Sequence, residues 1–291
     1  MVTGRAGQLA QSLVEAAACR RVDVVAVGRP DLDLADRASI EASIARVAPS
    51  IVVNAAAYTA VDKAESEPEQ ARAINADGAQ HVAAQCERLG IPLIHISTDY
   101  VFDGRKAGPY LEDDDVGPTG VYGHSKLEGE RRVASACSRS IILRTAWVYS
   151  PFGHNFVKTM LRLAAARPEI AVVDDQIGCP TYAPHLADAV LAVAERVLTD
   201  LPNREPWGIY HAAGQGEASW CTFAREIFQC SARLGGPTAE VRAITTAEYP
   251  TAARRPANSR LDCGKLARTL GVRLADWRVG AADCVGRLIA P

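Results

Sequence analysis

The sequence lacks any block of Lys and Arg of the kind that tracks a phosphate backbone. Its 32 basic and 34 acidic residues are scattered over 291 positions, for a formal net charge of −2, which argues against nucleic acid as a partner. Long apolar runs are also missing. The stretch 187–198 is broken by Asp188, Glu195 and Arg196, well short of a membrane span, so no transmembrane segment is expected. None of the 8 cysteines forms a C-x-x-C pair and no secretory signal precedes them; they read as reduced, mostly packed thiols of a cytoplasmic protein. The six histidines, His81, His95, His124, His154, His185 and His211, show no metal-ligand spacing. No internal repeat or low-complexity tract is evident.

What is present is the composition of a soluble globular protein, with 48% hydrophobic and 23% charged residues, enough for one large domain or two small ones. Through the first half, apolar β-branched runs at 22–27, 51–54, 93–97 and 141–145 alternate with amphipathic stretches at 8–18, 38–47, 69–89 and 122–136. Strands apolar nearly throughout, each followed by a helix, predict an α/β fold: a doubly wound (Rossmann) parallel sheet covered on both faces.

After Tyr149 the rhythm changes. Pro and Gly cluster at 151–153, 178–184 and 202–208, helices are expected at 155–166 and 186–198, and 207–212 reads as a further strand. The expected organisation is a cofactor-binding domain over 1–147, with 184–213 returning to it, and a smaller, interleaved substrate-binding domain over 148–183 and 214–291. Only residues 1–3 precede the first glycine, short for the central strand of such a sheet, so a few residues are expected to be missing upstream.

Gly4-Arg5-Ala6-Gly7-Gln8-Leu9-Ala10 has the spacing of a turn between a first strand and a first helix. Gly4 permits the turn, Gly7 lets backbone amides approach a pyrophosphate, Ala10 allows close packing, and the helix N-terminus faces the anion. A glycine-containing loop without function is the plain alternative. At the end of the second strand, where an acidic residue would bind the ribose of NAD, the sequence reads Val27-Gly28-Arg29. An Arg can pair with a 2′-phosphate, which points to NADPH with NADH possible. Asp31 lies close, and a solvated Arg29 is the simple alternative.

Thr98 ends a strand, while Tyr122 and Lys126 stand four residues apart at the start of a helix and so share one face. A free phenol, at a pKa of about 10, is too weak a donor at neutral pH by roughly three units, or ~4 kcal/mol. A neighbouring ammonium supplies part of that shift. Thr98 would hold the carbonyl oxygen from the strand end. The predicted chemistry is reduction of a keto group, with Tyr122 as acid and Lys126 tuning it.

Several further blocks carry a resemblance: N-A-A-A-Y-T-A-V-D-K-A-E at 54–65, S-T-D-Y-V-F-D-G at 97–104, Y-G-H-S-K at 122–126, R-T-A-W-V-Y at 144–149, D-D-Q-I-G-C-P-T at 174–181 and R-P-A-N-S-R-L-D at 255–262. With the glycine loop they make the chain similar, nearly end to end, to the extended short-chain dehydrogenase/reductase family. The branch it resembles implies reduction of the C4 keto group of dTDP-4-dehydro-L-rhamnose for cell-surface polysaccharide. The resemblance implies that Gln8 and Leu9 touch the pyrophosphate, that Asp33 and Leu34 lie along the adenine, and that Ala55, Ala56 and Ala57 border the cofactor. It also implies that Tyr122 and Lys126 reach the nicotinamide ribose, that Asp99, Tyr100 and Trp147 lie against the sugar, and that 255–262 shapes the nucleotide side of the cleft. On residue type alone, Trp147 could equally be core, and the three alanines could be tight packing.

In some relatives a glutamate on the first helix helps bind Mg²⁺ between subunits. Ser12 stands there, so no metal is expected, and the chain is expected to be a monomer or homodimer. Two alternatives remain at this point: a reductase making a different 6-deoxyhexose, and a non-catalytic subunit similar to the regulatory subunit of methionine adenosyltransferase.

Overall fold

The computed structural model describes residues 1–199 and 206–289. The chain runs β1 (Val2–Thr3), α1 (Gln8–Arg20), β2 (Ala26–Val27), α2 (Arg37–Val47), β3 (Val52–Asn54), α3 (Val61–Ala64), α4 (Pro68–Arg72), α5 (Ala79–Leu89), β4 (Leu93–Thr98), α6 (Val121–Ala136) and β5 (Ser140–Thr145). It continues through β6 (Val148–Tyr149), α7 (Phe156–Ala164), β7 (Glu169–Val173), β8 (Ile177–Gly178), β9 (Thr181–Tyr182), α8 (Ala183–Thr199) and β10 (Gly208–His211). The last part holds β11 (Ala218–Ser219), α9 (Trp220–Arg233), β12 (Glu240–Ile244), β13 (Asn258–Ser259), α10 (Gly264–Leu270) and α11 (Trp277–Ile289).

Among the described residues, six parallel strands form the main sheet in the order β10-β5-β4-β3-β1-β2. Successive side chains on a strand face opposite ways. Val53 and Ile141 therefore enter one core with α1 and α8, while their neighbours Val52 and Ile142 enter another with α2 and α5. Ile141 and Ile142 are 0% and 1% exposed, and burial of each contributes about 1.5–3 kcal/mol. Both faces are covered, as a doubly wound sheet requires.

The strand expected at 22–27 shrinks to Ala26–Val27 because it is the sheet edge, where Val22 and Val25 are left exposed. The run at 207–212 does return to the sheet: β10 pairs in parallel with β5, from Gly208 opposite Ile141 to His211 opposite Arg144. The Pro/Gly cluster at 202–208 lies, up to residue 205, outside the described residues.

The single helix expected at 69–89 is instead α4, a wider turn with i→i+5 bonding over Ala73–Gly78, and α5. A second core lies beyond Tyr149, where Tyr149, Tyr182, Phe223 and Trp277 pack with α7, α9 and α11. It is flanked by the pair β7–β12 and by β11-β8-β13. Leu266, Leu270, Val272 and Leu274 belong to the sheet's own core with α1 and α8. The stretch 264–274 therefore sits with the cofactor-side layer, although it falls in the part of the sequence assigned to the substrate side.

Candidate active site

The order of connections reverses between β1 and β3, so the loops after these two strands diverge and leave a crevice at their C-terminal ends. Three hydrogen-bonding side chains close its floor. Thr3 Oγ1 donates to Asn54 Oδ1 at 2.7 Å and accepts from the Ala56 N–H at 3.1 Å, and Asn54 Nδ2 lies 3.1 Å from His95 Nδ1. Burial together with the Lys126 charge holds the His95 pKa well down, so this ring is neutral.

Gly4 follows β1 with φ +92°, left-handed backbone that a side chain would strain, and a Cβ there would come within 3.4 Å of Ala56. Gly7 faces open space and caps α1 with no side-chain bond, and no acidic residue occupies the first turn. The amides of Gln8, Leu9 and Ala10 precede the first intrahelical bond, which Gln11 makes to Gly7 O. A 13-residue helix thus presents free N–H groups and the positive end of its dipole to the crevice. These features fit a dinucleotide pyrophosphate, and the half-buried Ala55, Ala56 and Ala57 border the same space.

The side chains expected to reach the cofactor divide into two groups. Arg29 is exposed at the end of β2, and Arg5 stands beside it, donating to Arg29 O at 2.6 Å. The nearby Asp31 carboxylate is taken up by Arg5 at 3.6 Å and Arg46 at 3.9 Å. Nothing in the spacing of the glycine loop points to Arg5.

The Gln8 side chain, by contrast, is committed elsewhere. Its Oε1 accepts from Ser150 at 2.8 Å and Asn155 at 3.0 Å, and its Nε2 donates to Val148 O at 3.3 Å. Gln8 therefore ties α1 to the segment leading into α7 and offers the pyrophosphate only its backbone. Leu9 and Leu34 are buried in the two sheet cores, and Asp33 accepts from the Ala35 N–H at 3.0 Å. Leu9 and Leu34 leave only backbone edges for a nucleotide, whereas the half-buried Asp33 carboxylate keeps its second oxygen clear of the Ala35 bond.

Thr98, Tyr122 and Lys126 come together at the C-terminal end of β4, at 6%, 9% and 2% exposure. The first turn of α6 is drawn in by Gly123, where a Cβ would lie 2.3 Å from Tyr100 O. Glu65 Oε1 accepts from the Val121 N–H at 2.9 Å and so caps the helix from the 54–65 block. Asn75, in the wide turn, donates to Ser125 Oγ and to Tyr58 O, both at 3.0 Å, and accepts from the Tyr58 N–H at 2.8 Å. These supports were not foreseen. A helix interrupted by one extra residue per turn leaves no periodic mark on a short amphipathic stretch.

The charge states differ from the sequence expectation. Burial, reinforced by Asp99 and Tyr100, pushes the Tyr122 phenol up, and the Thr98 hydrogen bond offsets only part of this. The Lys126 ammonium donates to Ile96 O at 2.7 Å. Burial lowers Lys126 to about 8, against an opposing pull from Glu130. Both oxygens of Glu130 are held by Arg144, at 2.9 and 2.7 Å, in a pair with each side chain 2% exposed.

Around this trio lie Asp99, Tyr100 and Trp147. Tyr100 sits edge-on to Tyr122, with ring centroids 5.5 Å apart, and its hydroxyl accepts from Arg255 at 3.0 Å. Arg255 in turn pairs with Asp62 at 2.6 Å, which joins the 255–262 block to the 54–65 block. Trp147 is half-buried, has φ +49° and stacks on Trp220 at 3.5 Å. It is thus a shelf held from behind and only partly core. Several buried polar atoms here have no partner among the described residues: Ser97 Oγ, Asp99 Oδ2, Thr145 Oγ1 and His95 Nε2. Buried polar groups are normally bonded, and their concentration at one end of β4 and β5 marks a place prepared for a polar ligand. The Ser12 hydroxyl is buried and gives its hydrogen to Gln8 O at 2.8 Å. No group of three or more His, Cys, Asp or Glu among the described residues could hold a metal ion.

Comparison with known proteins agrees with this geometry. The family model described as the RmlD substrate binding domain matches residues 1–289. A dTDP-4-dehydrorhamnose reductase of Sinorhizobium fredii is 52% identical over 288 residues, covering 99% of this chain and 97% of the relative. Among solved structures, the Clostridium acetobutylicum dTDP-4-dehydrorhamnose reductase superposes with a TM-score of 0.90 at 37% identity, covering 99% of this chain and 98% of that one. The Bacillus anthracis dTDP-4-dehydrorhamnose reductase, solved in complex with NADP, gives 0.89 at 35% identity, covering 97% and 96%.

Proposed function

The chain belongs to the RmlD family, and from that premise we infer that it is an oxidoreductase that uses NADPH to reduce the C4 keto group of dTDP-4-dehydro-L-rhamnose to dTDP-L-rhamnose. The observation that carries this reading is the convergence of Thr98, Tyr122 and Lys126 in one buried group beside a free helix N-terminus. A non-catalytic subunit would have no use for that convergence.

Bound NADPH supplies the hydride. Tyr122 supplies the proton: its raised pKa keeps the phenol protonated at neutral pH, as a donor must be. Thr98 holds the reacting oxygen. Lys126, at about 8, is mostly charged at pH 7; it anchors the nicotinamide ribose and offsets the phenolate charge once the proton has left. Asp99, Tyr100 and Trp147 line the sugar subsite, and Arg5 joins Arg29 on the 2′-phosphate. The cofactor is held by 1–147 with 184–213, and the sugar nucleotide lies between that part and 148–183 with 214–291, of which 264–274 packs on the sheet. Ser12 in place of a carboxylate goes with metal-independent action as a monomer or homodimer. The eight cysteines are unpaired and no described helix is long and apolar enough to cross a membrane, in keeping with a cytoplasmic location.

The test is loss of NADPH absorbance with the keto-sugar nucleotide supplied, followed by NMR identification of the product. dTDP-L-rhamnose is expected. A different 6-deoxyhexose would reassign the substrate face, and no turnover together with co-purification of a synthetase would overturn the enzymatic reading.

A further inference from the structure

Three residues other than glycine hold a positive φ among the described residues: Arg21, Ala48 and Trp147. Arg21 and Ala48 close α1 and α2, where left-handed backbone is ordinary. Trp147, at φ +49°, closes no helix. It stands between β5 and β6, and a bulky residue keeps such a conformation only where its surroundings fix it.

Two sets of contacts do so. The first is a stack of three rings. Trp147 lies on Trp220 with centroids 3.5 Å apart and planes 7° from parallel, and Trp220 meets Phe156 at 4.6 Å. Trp220 Nε1 donates to Gln176 Oε1 at 3.2 Å. Gly178 makes room for the Trp147 ring, because a Cβ there would lie 2.5 Å from it. The second set holds the main chain at both ends of the stack. Gln8 Nε2 donates to the carbonyl of Val148, the residue after Trp147, at 3.3 Å. Gln8 Oε1 accepts from Asn155, the residue before Phe156, at 3.0 Å, and from Ser150 between them at 2.8 Å. Asn155 in turn caps α7. One amide thus grips the chain beside the first ring and beside the last. It belongs to the first residue of α1, whose own N–H faces the crevice.

We propose that the Gln8 side chain is a positioning residue for the sugar subsite, holding the Trp147 shelf in register with the cofactor loop. The inference rests on the reading that Trp147 lies against the sugar. Hydride transfer needs the keto carbon at a set distance from the nicotinamide, and a displacement of ~1 Å can cost about 10²-fold in rate. The main-chain N–H groups that seat the pyrophosphate stay in place whatever side chain stands at position 8. The sugar rests on Trp147, and the Gln8 amide ties the segment after that residue to α1. Cofactor and sugar are therefore both referred to Gln8, the one by its backbone and the other by its side chain.

The test is Gln8→Met, which keeps the length of the side chain and removes its hydrogen bonds. Ser150 Oγ still has Phe152 O at 3.1 Å, and Asn155 Nδ2 still has Ser150 O at 2.7 Å, so neither donor is stranded and the variant should fold. At saturating NADPH its kcat/KM for dTDP-4-dehydro-L-rhamnose should fall by about tenfold to 10²-fold, between the effect of a lost bond and that of a misplaced substrate. NADPH affinity, measured by titration, should be unchanged. A double-mutant cycle with Trp147→Ala supplies a readout that general loosening would not move: Trp147→Ala should itself lower kcat/KM, and adding Gln8→Met should lower it no further. An unaltered kcat/KM in Gln8→Met, an equal loss of NADPH affinity, or additive effects in the double variant overturns the proposal. The two ideas fail differently. Trp147→Ala with unaltered kcat/KM would remove the sugar-subsite reading, whereas a fall in Trp147→Ala beside none in Gln8→Met would remove only the role of Gln8.

Discussion

Replacing Tyr122 by Phe removes one oxygen and leaves almost everything else in place. The ring keeps its edge contact with Tyr100 at 5.5 Å and its packing on Ala64 and Ala71. The interaction of the phenol with Thr98 is lost, but Thr98 keeps Asp99 Oδ1 and the Tyr100 N–H as partners, so no polar atom is stranded. Stability should therefore fall by only about 1 kcal/mol, the net value of one hydrogen bond, or roughly 2 °C in Tm for a chain of this size. Catalysis should respond very differently, since general acid action is worth about 10²–10⁴ in rate, and both ligands should still bind. The assay is kcat from NADPH oxidation, with folding checked by thermal melt and NADPH affinity by titration. A variant that melts near the parent temperature and turns over within a few-fold of it would show that the proton comes from elsewhere.

Other perturbations probe separate parts of the site. Arg29→Ala and Arg5→Ala should each raise the KM for NADPH tenfold or more, the effect of losing a charge-assisted bond of about 1.5 kcal/mol, while sparing NADH. Equal effects on both cofactors would show that neither reads the 2′-phosphate. Glu130→Gln removes the group that raises Lys126, so the Lys126 pKa should fall below about 8 and the alkaline loss of kcat should move to lower pH. The same change strands the buried Arg144 charge and should cost about 3–5 kcal/mol in unfolding free energy; an unmoved alkaline limb in folded enzyme would refute the coupling. Lys126→Met should lower kcat and weaken NADPH binding together, and a change in kcat alone would deny the ribose contact. Activity should survive EDTA, because Ser12 offers no carboxylate where some relatives hold Mg²⁺; loss on chelation with recovery in Mg²⁺ would contradict this.

The main sheet and the pairing of Tyr122 with Lys126 were legible because both depend on short-range repetition. Strand runs alternate with helices, and Tyr122 and Lys126 are separated by about one helical turn. What the sequence concealed depends on contacts across the chain. Gln8 sits in a cofactor loop by spacing, yet its amide is drawn to Val148, Ser150 and Asn155, more than a hundred positions away. Leu34 follows a strand end as a nucleotide-contacting residue would, but α2 and α5 bury it. The wide turn at Ala73–Gly78 places Asn75 under Ser125, a registration that no pattern within 69–89 records. Arg5 was hidden differently: a charged residue between two glycines gives no sign of its direction until β2 is laid beside β1.

The charge states also revise the reason the reaction can run at neutral pH. Reasoning from residue type, the phenol is too weak an acid and Lys126 must strengthen it before proton transfer. In the folded protein the phenol is weaker still, and the ammonium is turned to Ile96 O. A raised phenol pKa is no obstacle if the acceptor is a stronger base than the phenolate, and the alkoxide left by hydride addition to a ketone is such a base. On the proposed assignment the proton would stay on Tyr122 until hydride is delivered, and the site would avoid a buried phenolate beside Asp99. Transfer would then be downhill, and Lys126, one helical turn away, would have an anion to neutralise. The arrangement thus suits an enzyme that reduces: its acid is held protonated until the substrate oxygen becomes basic enough to take the proton.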